Sequence, residues 1–220
     1  MGITVVTGAN RGIGLELTRQ LSARGARVVA VCRKSSAELD ALGARVEAGV
    51  DVTDPAARAR LAERLSGDEI ELLVHNAGVL IPDSLDGASL DGVRAQLELN
   101  AVAPLFLTQA LLPRLGRGSK VALITSRMGS IADNGSGAFY GYRMSKAALN
   151  AAGMSLSRDL APRGVAVVIL HPGAVRTEMT GGHGMIDADE SVRGLLARID
   201  ELRLETTGRF LHQNGEALPW

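Results

Sequence analysis

A single cysteine, Cys32, stands among the 220 residues. One thiol excludes an intramolecular disulfide and a metal cluster built on cysteine. Histidine is scarce too: His75, His171, His183 and His212 fall without the spacing of a ligand set, so no metal site is expected. Neither sign of charge dominates. Lys+Arg and Asp+Glu each number 24, giving a formal net charge of zero. That balance argues against the basic face that a nucleic acid or an anionic membrane would need. No apolar run reaches the ~18 residues of a bilayer span. No charged segment leads into an apolar signal stretch, because Gly2 to Val6 already reads as a strand. The expectation is a soluble, cytoplasmic protein.

What is present is ordinary for a globular chain, with 46% hydrophobic and 22% charged residues. Short β-branched runs alternate with longer segments of helical period. Strands are expected at Ile3 to Thr7, Arg27 to Cys32, Arg45 to Val50, Glu71 to His75, Lys120 to Thr125, Val165 to His171 and Gly208 to His212. Runs such as Val165 to Leu170 are apolar throughout, as a parallel strand buried on both faces must be. Helices are expected at Gly12 to Ala23, Pro55 to Ser66, Leu90 to Leu115, Tyr142 to Ala161 and Glu190 to Leu202. Repeated β-α alternation predicts an α/β fold: a doubly wound parallel sheet with helices on both faces. No linker or repeat divides the chain, so one domain over residues 1–220 is expected.

Directly after the first strand comes Thr7-Gly8-Ala9-Asn10-Arg11-Gly12-Ile13-Gly14, opening the first helix. Glycines let the backbone turn tightly and approach a pyrophosphate, whose charge the helix N-terminus then stabilises. The spacing Gly-x-x-x-Gly-x-Gly departs from the generic dinucleotide fingerprint. It resembles instead the coenzyme motif of short-chain dehydrogenases, and further stations follow in that family's order. Asp51-Val52 after strand three resembles the pair whose carboxylate receives the adenine amino group. Asn76-Ala77-Gly78 is similar to the family's Asn-Ala-Gly turn, with His75 where a further Asn is usual. Pro172-Gly173, then Val175 and Thr177, resembles the segment over the nicotinamide, where the Thr hydroxyl and nearby backbone hold the carboxamide. The resemblance spans nearly the whole chain and implies a Rossmann-type fold and a nicotinamide cofactor.

Tyr142 and Lys146 lie four residues apart, hence on one helix face. A free phenol has a pKa of about 10, and Lys146 with an oxidised nicotinamide would lower it by opposite charge. The resemblance implies that Tyr142 exchanges the proton with the substrate oxygen, while Lys146 also holds the nicotinamide ribose. Ser126, at the end of strand five, resembles the serine that polarises the substrate carbonyl. Asn100 completes the set, its implied task being to anchor a water between Lys146 and solvent. Tyr140 is a neighbour in the wrong register, since Met144 stands four residues on. Ser130 rivals Ser126, because the excursion from Asp133 to Gly137 lengthens the approach to Tyr142; the strand-end position favours Ser126.

After strand two stands Cys32-Arg33-Lys34, with no acidic residue until Glu38. A carboxylate there would bind the ribose 2′-hydroxyl, whereas guanidinium binds a 2′-phosphate. Arg33, with Arg11 in the loop, therefore predicts NADP(H) over NAD(H). The stretches Thr125 to Ser130, Tyr142 to Asn150, His171 to Thr177 and the ending Gly208 to Trp220 resemble C-factor proteins and sniffer-like carbonyl reductases. That likeness implies a small carbonyl or alcohol substrate, with a nicotinamide-binding signalling protein of little turnover as the alternative. The short segment Glu178 to Glu190 is expected to shape specificity, its Met179 and Met185 either meeting an apolar ligand or packing on the sheet. Small and apolar residues nearly all round Tyr142 to Ala161 predict a second buried face, hence a homodimer or homotetramer.

Overall fold

The computed structural model describes residues 2–220. Seven strands form one sheet: β1 (Ile3–Thr7), β2 (Arg27–Val31), β3 (Arg45–Glu47), β4 (Ile70–His75), β5 (Leu115–Ile124), β6 (Ala166–His171) and β7 (Arg209–His212). Their order is β3-β2-β1-β4-β5-β6-β7, and every neighbouring pair is parallel. Helices α1 (Gly12–Ala23), α2 (Ala37–Asp40), α3 (Pro55–Arg64), α4 (Leu90–Leu97), α5 (Ala103–Leu111), α6 (Tyr140–Leu160) and α7 (Ala188–Glu201) cover it. The doubly wound parallel sheet is thus the observed architecture.

Strand residues alternate between two apolar layers. Val5, Leu73, Leu123 and Ile169 pack with Leu61 of α3, Leu107 of α5 and Leu149 of α6. Val6, Val74, Ala122 and Val168 face the other way, against Leu17 of α1 and Val192, Leu195 and Ile199 of α7. Burial on both faces is why these strands read as continuous apolar runs. The chain winds outward from β1 to β3, then returns to place β4 on the other side of β1. A crevice opens at this reversal, beyond the carboxyl ends of β1 and β4.

The long helix expected from Leu90 to Leu115 is interrupted. α4 ends at Leu97, a wider π turn runs over Glu98–Val102, and α5 starts at Ala103. Pro104 is the cause. It has no N–H, and its ring clashes with the carbonyl four residues back, which belongs to Asn100. A 3₁₀ turn at Leu112–Arg114 then closes the segment, and Leu115 already belongs to β5. Two smaller differences bear on the site. α6 starts at Tyr140 rather than Tyr142. The short helix α2, capped by the Ser36 hydroxyl on the Leu39 amide, is present in addition to the expected helices.

Candidate active site

The loop between β1 and α1 turns through positive φ at Gly8 and Gly12. Behind it, Thr7 Oγ1 accepts from the amides of Asn76 (3.0 Å) and Ala77 (3.1 Å). The Asn76 side-chain amide donates to the Thr7 and Gly8 carbonyls at 3.0 and 3.2 Å. The glycine loop and the turn after β4 therefore hold each other. Gly14 completes this joint by having no side chain: a Cβ there would sit 2.1 Å from the Gly8 carbonyl oxygen.

A cleft of about 890 Å³ opens over the joint, within the size range of cofactor sites. Gly8, Asn10, Arg11, Gly12 and Ile13 line it from the loop, Arg33 from the turn after β2, and Asp51 and Val52 from the segment after β3. Asn76, Ala77, Gly78, Tyr142, Lys146, Pro172 and Thr177 line its other walls. Gly14, Gly173 and Val175 stand behind the lining. Val175 is buried and bridges to Ile186, and a Cβ on Gly173 would meet Ile186 at 2.9 Å, so both fix the base of the following segment. Met179 lines the cleft mouth, and Met185 is exposed, so neither is buried against the sheet.

Charge is distributed unevenly along this cleft. Among the described residues, no acidic side chain forms an ion pair with Arg33 or Lys34, which are both exposed. The Thr53 hydroxyl and amide donate to Asp51 Oδ1 at 2.7 and 2.9 Å. These bonds, burial opposing them and Arg33 reinforcing them, hold the Asp51 carboxyl below its ordinary range. Arg11 is engaged across the cleft mouth by Glu178, an exposed ion pair that links the glycine loop to the segment beyond Thr177.

At the other end the groups are buried: Ser126 is 8% exposed, Tyr142 8% and Lys146 5%. Burial pushes the Tyr142 phenol up to about 12, and a hydrogen bond with the Ser126 side chain pulls the other way. Lys146 is pushed down to about 8 by burial. Its Nζ donates to the Ile124 carbonyl at 3.0 Å and lies 5.6 Å from the Tyr142 ring centroid. The ammonium thus rests against the ring and the strand end. The lowering expected of the phenol invoked Lys146 together with an oxidised nicotinamide; in the protein alone, burial sets the direction. Ser130 is also buried, but its hydroxyl accepts from the Asp133 amide. Tyr140 is 39% exposed at the helix start.

The Asn100 side chain joins the cleft wall to α6. Its Oδ1 accepts from the Val79 amide at 2.8 Å, while Nδ2 donates to the Val79 carbonyl (2.8 Å) and Ser145 Oγ (2.9 Å). Both side-chain N–H bonds are committed, so this amide is a strut between the cleft wall and the helix carrying Tyr142.

Two residues of that wall escaped the sequence reading. Gln96, one turn before Asn100 and fully buried, accepts from the Ile81 amide (2.9 Å) and donates to its carbonyl (3.4 Å). The two amides thus grip Val79 and Ile81 as a neighbouring strand would. Their helical spacing was the available signal. Asp83 accepts from the Tyr140 and Gly141 amides and so caps α6. The residue preceding α6, Phe139, takes a left-handed φ of 53° and supplies no cap itself. No local pattern announces a cap supplied from 57 residues away.

The model of the family described as short chain dehydrogenase matches residues 2–184. A Rhodococcus sp. (strain AD45) protein, 1-hydroxy-2-glutathionyl-2-methyl-3-butene dehydrogenase, is 42% identical, with all of both chains covered. The C-signal protein of Myxococcus xanthus is 45% identical, over 69% of this chain and 93% of that one. The NADPH-bound carbonyl reductase from chicken fatty liver superposes with a TM-score of 0.89 at 33% identity, covering 100% of this chain and 99% of that one. With this fold and this cleft, the chain belongs to the short chain dehydrogenase family and is an oxidoreductase acting on an alcohol or carbonyl with a nicotinamide cofactor.

Proposed function

We propose that this protein is an NADP(H)-dependent reductase of a small carbonyl compound, running in reverse as an alcohol dehydrogenase, with Tyr142 as the acid and base. The observation that carries the reading is the buried Ser126–Tyr142–Lys146 set at one end of a cleft whose other end presents Arg33 and Lys34. A nicotinamide there would supply or accept hydride. Ser126 offers its hydroxyl to the substrate oxygen and so polarises the carbonyl. Tyr142, protonated in its buried surroundings, donates its proton as negative charge develops on that oxygen. Lys146, fixed on the Ile124 carbonyl, is one turn from Tyr142 and in place to hold ribose hydroxyls. Thr177 would meet the carboxamide, and Asp51 Oδ2 is left to accept from an adenine amino group.

Arg33 and Lys34 support NADP(H), since exposed cations without a carboxylate partner suit a 2′-phosphate and no acid waits for a ribose 2′-hydroxyl. A homodimer or homotetramer is part of the reading. Leu105 and Phe106 on α5 are exposed, and on α6 Met144, Ala151 and Ser155 form an exposed stripe of small and apolar residues. A cytoplasmic location belongs to it as well, since the cofactor is an intracellular metabolite. The likeness to the C-signal protein favours one rival, a nicotinamide-binding signalling protein with little turnover. A buried acid–base set counts against that rival, because binding alone does not need it. A panel of carbonyls assayed with NADPH and NADH decides between them. Wild type is expected to turn over with NADPH, and Tyr142→Phe to lose about 10²- to 10⁴-fold, the usual contribution of a general acid. Equal rates for the two proteins on one substrate would remove Tyr142 from the mechanism; cofactor binding without turnover across the panel would favour the rival.

A further inference from the structure

Arg58 is buried where a buried cation is least expected. It is 8% exposed, and among the described residues no carboxylate pairs with it. It sits in the first turn of α3, where the helix dipole presents positive charge and disfavours a cation. Taking an unpaired charge out of water is costly as well. Both penalties show that helix formation does not account for this residue.

Its contacts do. Arg58 Nη1 reaches back past the Asp54 cap and donates to the Val52 carbonyl at 2.7 Å and the Thr53 carbonyl at 3.0 Å. The other side of the guanidinium lies 5.6 Å from the centroid of the Phe106 ring on α5. Asp51, Val52 and Thr53 line the cleft, so the two carbonyls held by Arg58 belong to residues that form its wall. On the cleft side, Asp51 Oδ1 is taken by Thr53, and Val50 and Val52 supply apolar surface. A flat base with an exocyclic amino group fits such a wall, the amino group going to the free carboxylate oxygen.

We infer that Arg58 is a positioning residue for adenine recognition: its guanidinium fixes the carbonyls of Val52 and Thr53 and thereby the orientation of Asp51 in the cleft. The inference rests on the cofactor reading above and adds the device that shapes its adenine subsite. Losing the clamp should weaken ligands that carry adenine and spare those that do not.

The test uses the whole enzyme and three probes: NADPH, adenosine 2′,5′-bisphosphate and reduced nicotinamide mononucleotide. In Arg58→Met the dissociation constants of NADPH and the bisphosphate are expected to rise about tenfold. The kcat/KM for reduced nicotinamide mononucleotide as hydride donor should change less than twofold. Arg58→Lys keeps the charge with fewer donors and should show a rise of about threefold, which carries the test if the methionine variant does not fold. Unchanged affinity for the bisphosphate in both variants overturns the proposal. Equal losses with all three probes also overturn it, since they assign Arg58 to the fold as a whole. If wild type binds neither NADPH nor the bisphosphate, the cofactor reading itself fails, a result seen before any variant is made.

Discussion

The two ends of the cleft hold positive charge in opposite ways. Arg33 and Lys34 are exposed and, among the described residues, unpaired with any carboxylate, while Lys146 is buried on a backbone carbonyl. Water screens the first pair, so they can wait for an anion at little cost. The second cannot rely on water, and burial has moved both it and Tyr142 away from their ordinary pKa values. Its geometry must come from neighbours, and these are the side chains that tie the Val79–Asp83 wall to the π turn and to α6. A site can thus be loosely held where it recognises charge and tightly held where it moves a proton.

That contrast breaks first at its exposed end. Arg33→Asp replaces an attractive partner of a 2′-phosphate with a repulsive one, while nothing buried is disturbed. The ratio of kcat/KM for NADPH to that for NADH is expected to fall about 10- to 100-fold, the weight of a charged hydrogen bond or somewhat more. Turnover at saturation with the better cofactor should hold. A wild type that already prefers NADH would remove Arg33 from cofactor choice.

Between the two ends His75 is fully buried at the end of β4, its Nε2 2.8 Å from Thr108 Oγ1. Burial pushes its pKa down to about 3, from an ordinary 6.5. In the window between those values the unfolded chain takes up a proton that the folded ring refuses. Stability therefore falls as pH drops below about 6.5, by ~2 kcal/mol at pH 5 for this group alone. His171, also held near 3 by burial and nearby positive charge, steepens the same slope. Denaturant midpoints at pH 7, 6 and 5 check this, and His75→Gln should flatten the dependence. A flat profile in wild type would mean that the ring reaches water in the folded state.

At the buried end, Asp83→Ala removes the remote cap of α6. Loss of an N-cap costs about 1 kcal/mol, and here it frees the turn that leads into Tyr142. Thermal stability should fall modestly and kcat by several-fold, with NADPH affinity nearly unchanged and Asp83→Asn closer to wild type. If NADPH affinity falls as much as kcat, the wall serves the whole cleft and its two ends are not held independently.

The parts legible in the sequence are those whose determinants lie close together in the chain. The glycine loop joins one strand to one helix, and Tyr142 and Lys146 share a helix turn, so local spacing reveals both. Apolar runs separated by helical periods likewise reveal a parallel sheet covered by helices, though not the order of its strands. The interruption at Asn100 was within reach, since Pro104 stands four residues on, but the apolar pattern runs through it unbroken. Contacts across large separations carry no such mark. Asn100 meets Ser145 across 45 residues and Asp83 caps α6 across 57. Neither the asparagine nor the aspartate at those positions differs in type from a solvated side chain. Spacing likewise shows that Lys146 is near Tyr142, but not that its ammonium turns to Ile124.

The smallest expected effect lies at the cleft mouth, where Arg11 pairs with Glu178. Both side chains are mostly exposed, at 63% and 73%, so the pair itself contributes little to stability. Its position gives it another consequence. While Glu178 holds Arg11, that guanidinium is unavailable to a phosphate at the glycine loop. Glu178→Ala should therefore leave the melting temperature almost unmoved and strengthen NADPH binding by about two- to threefold. The gain should shrink at high salt, as any exposed charge interaction does. Arg11→Ala is its counterpart: if Arg11 can turn to the phosphate once released, this variant weakens NADPH and cancels the gain in the double variant. Additive effects in the double variant would show that the two side chains act on the cofactor separately, leaving Arg33 and Lys34 as the cations that read the phosphate.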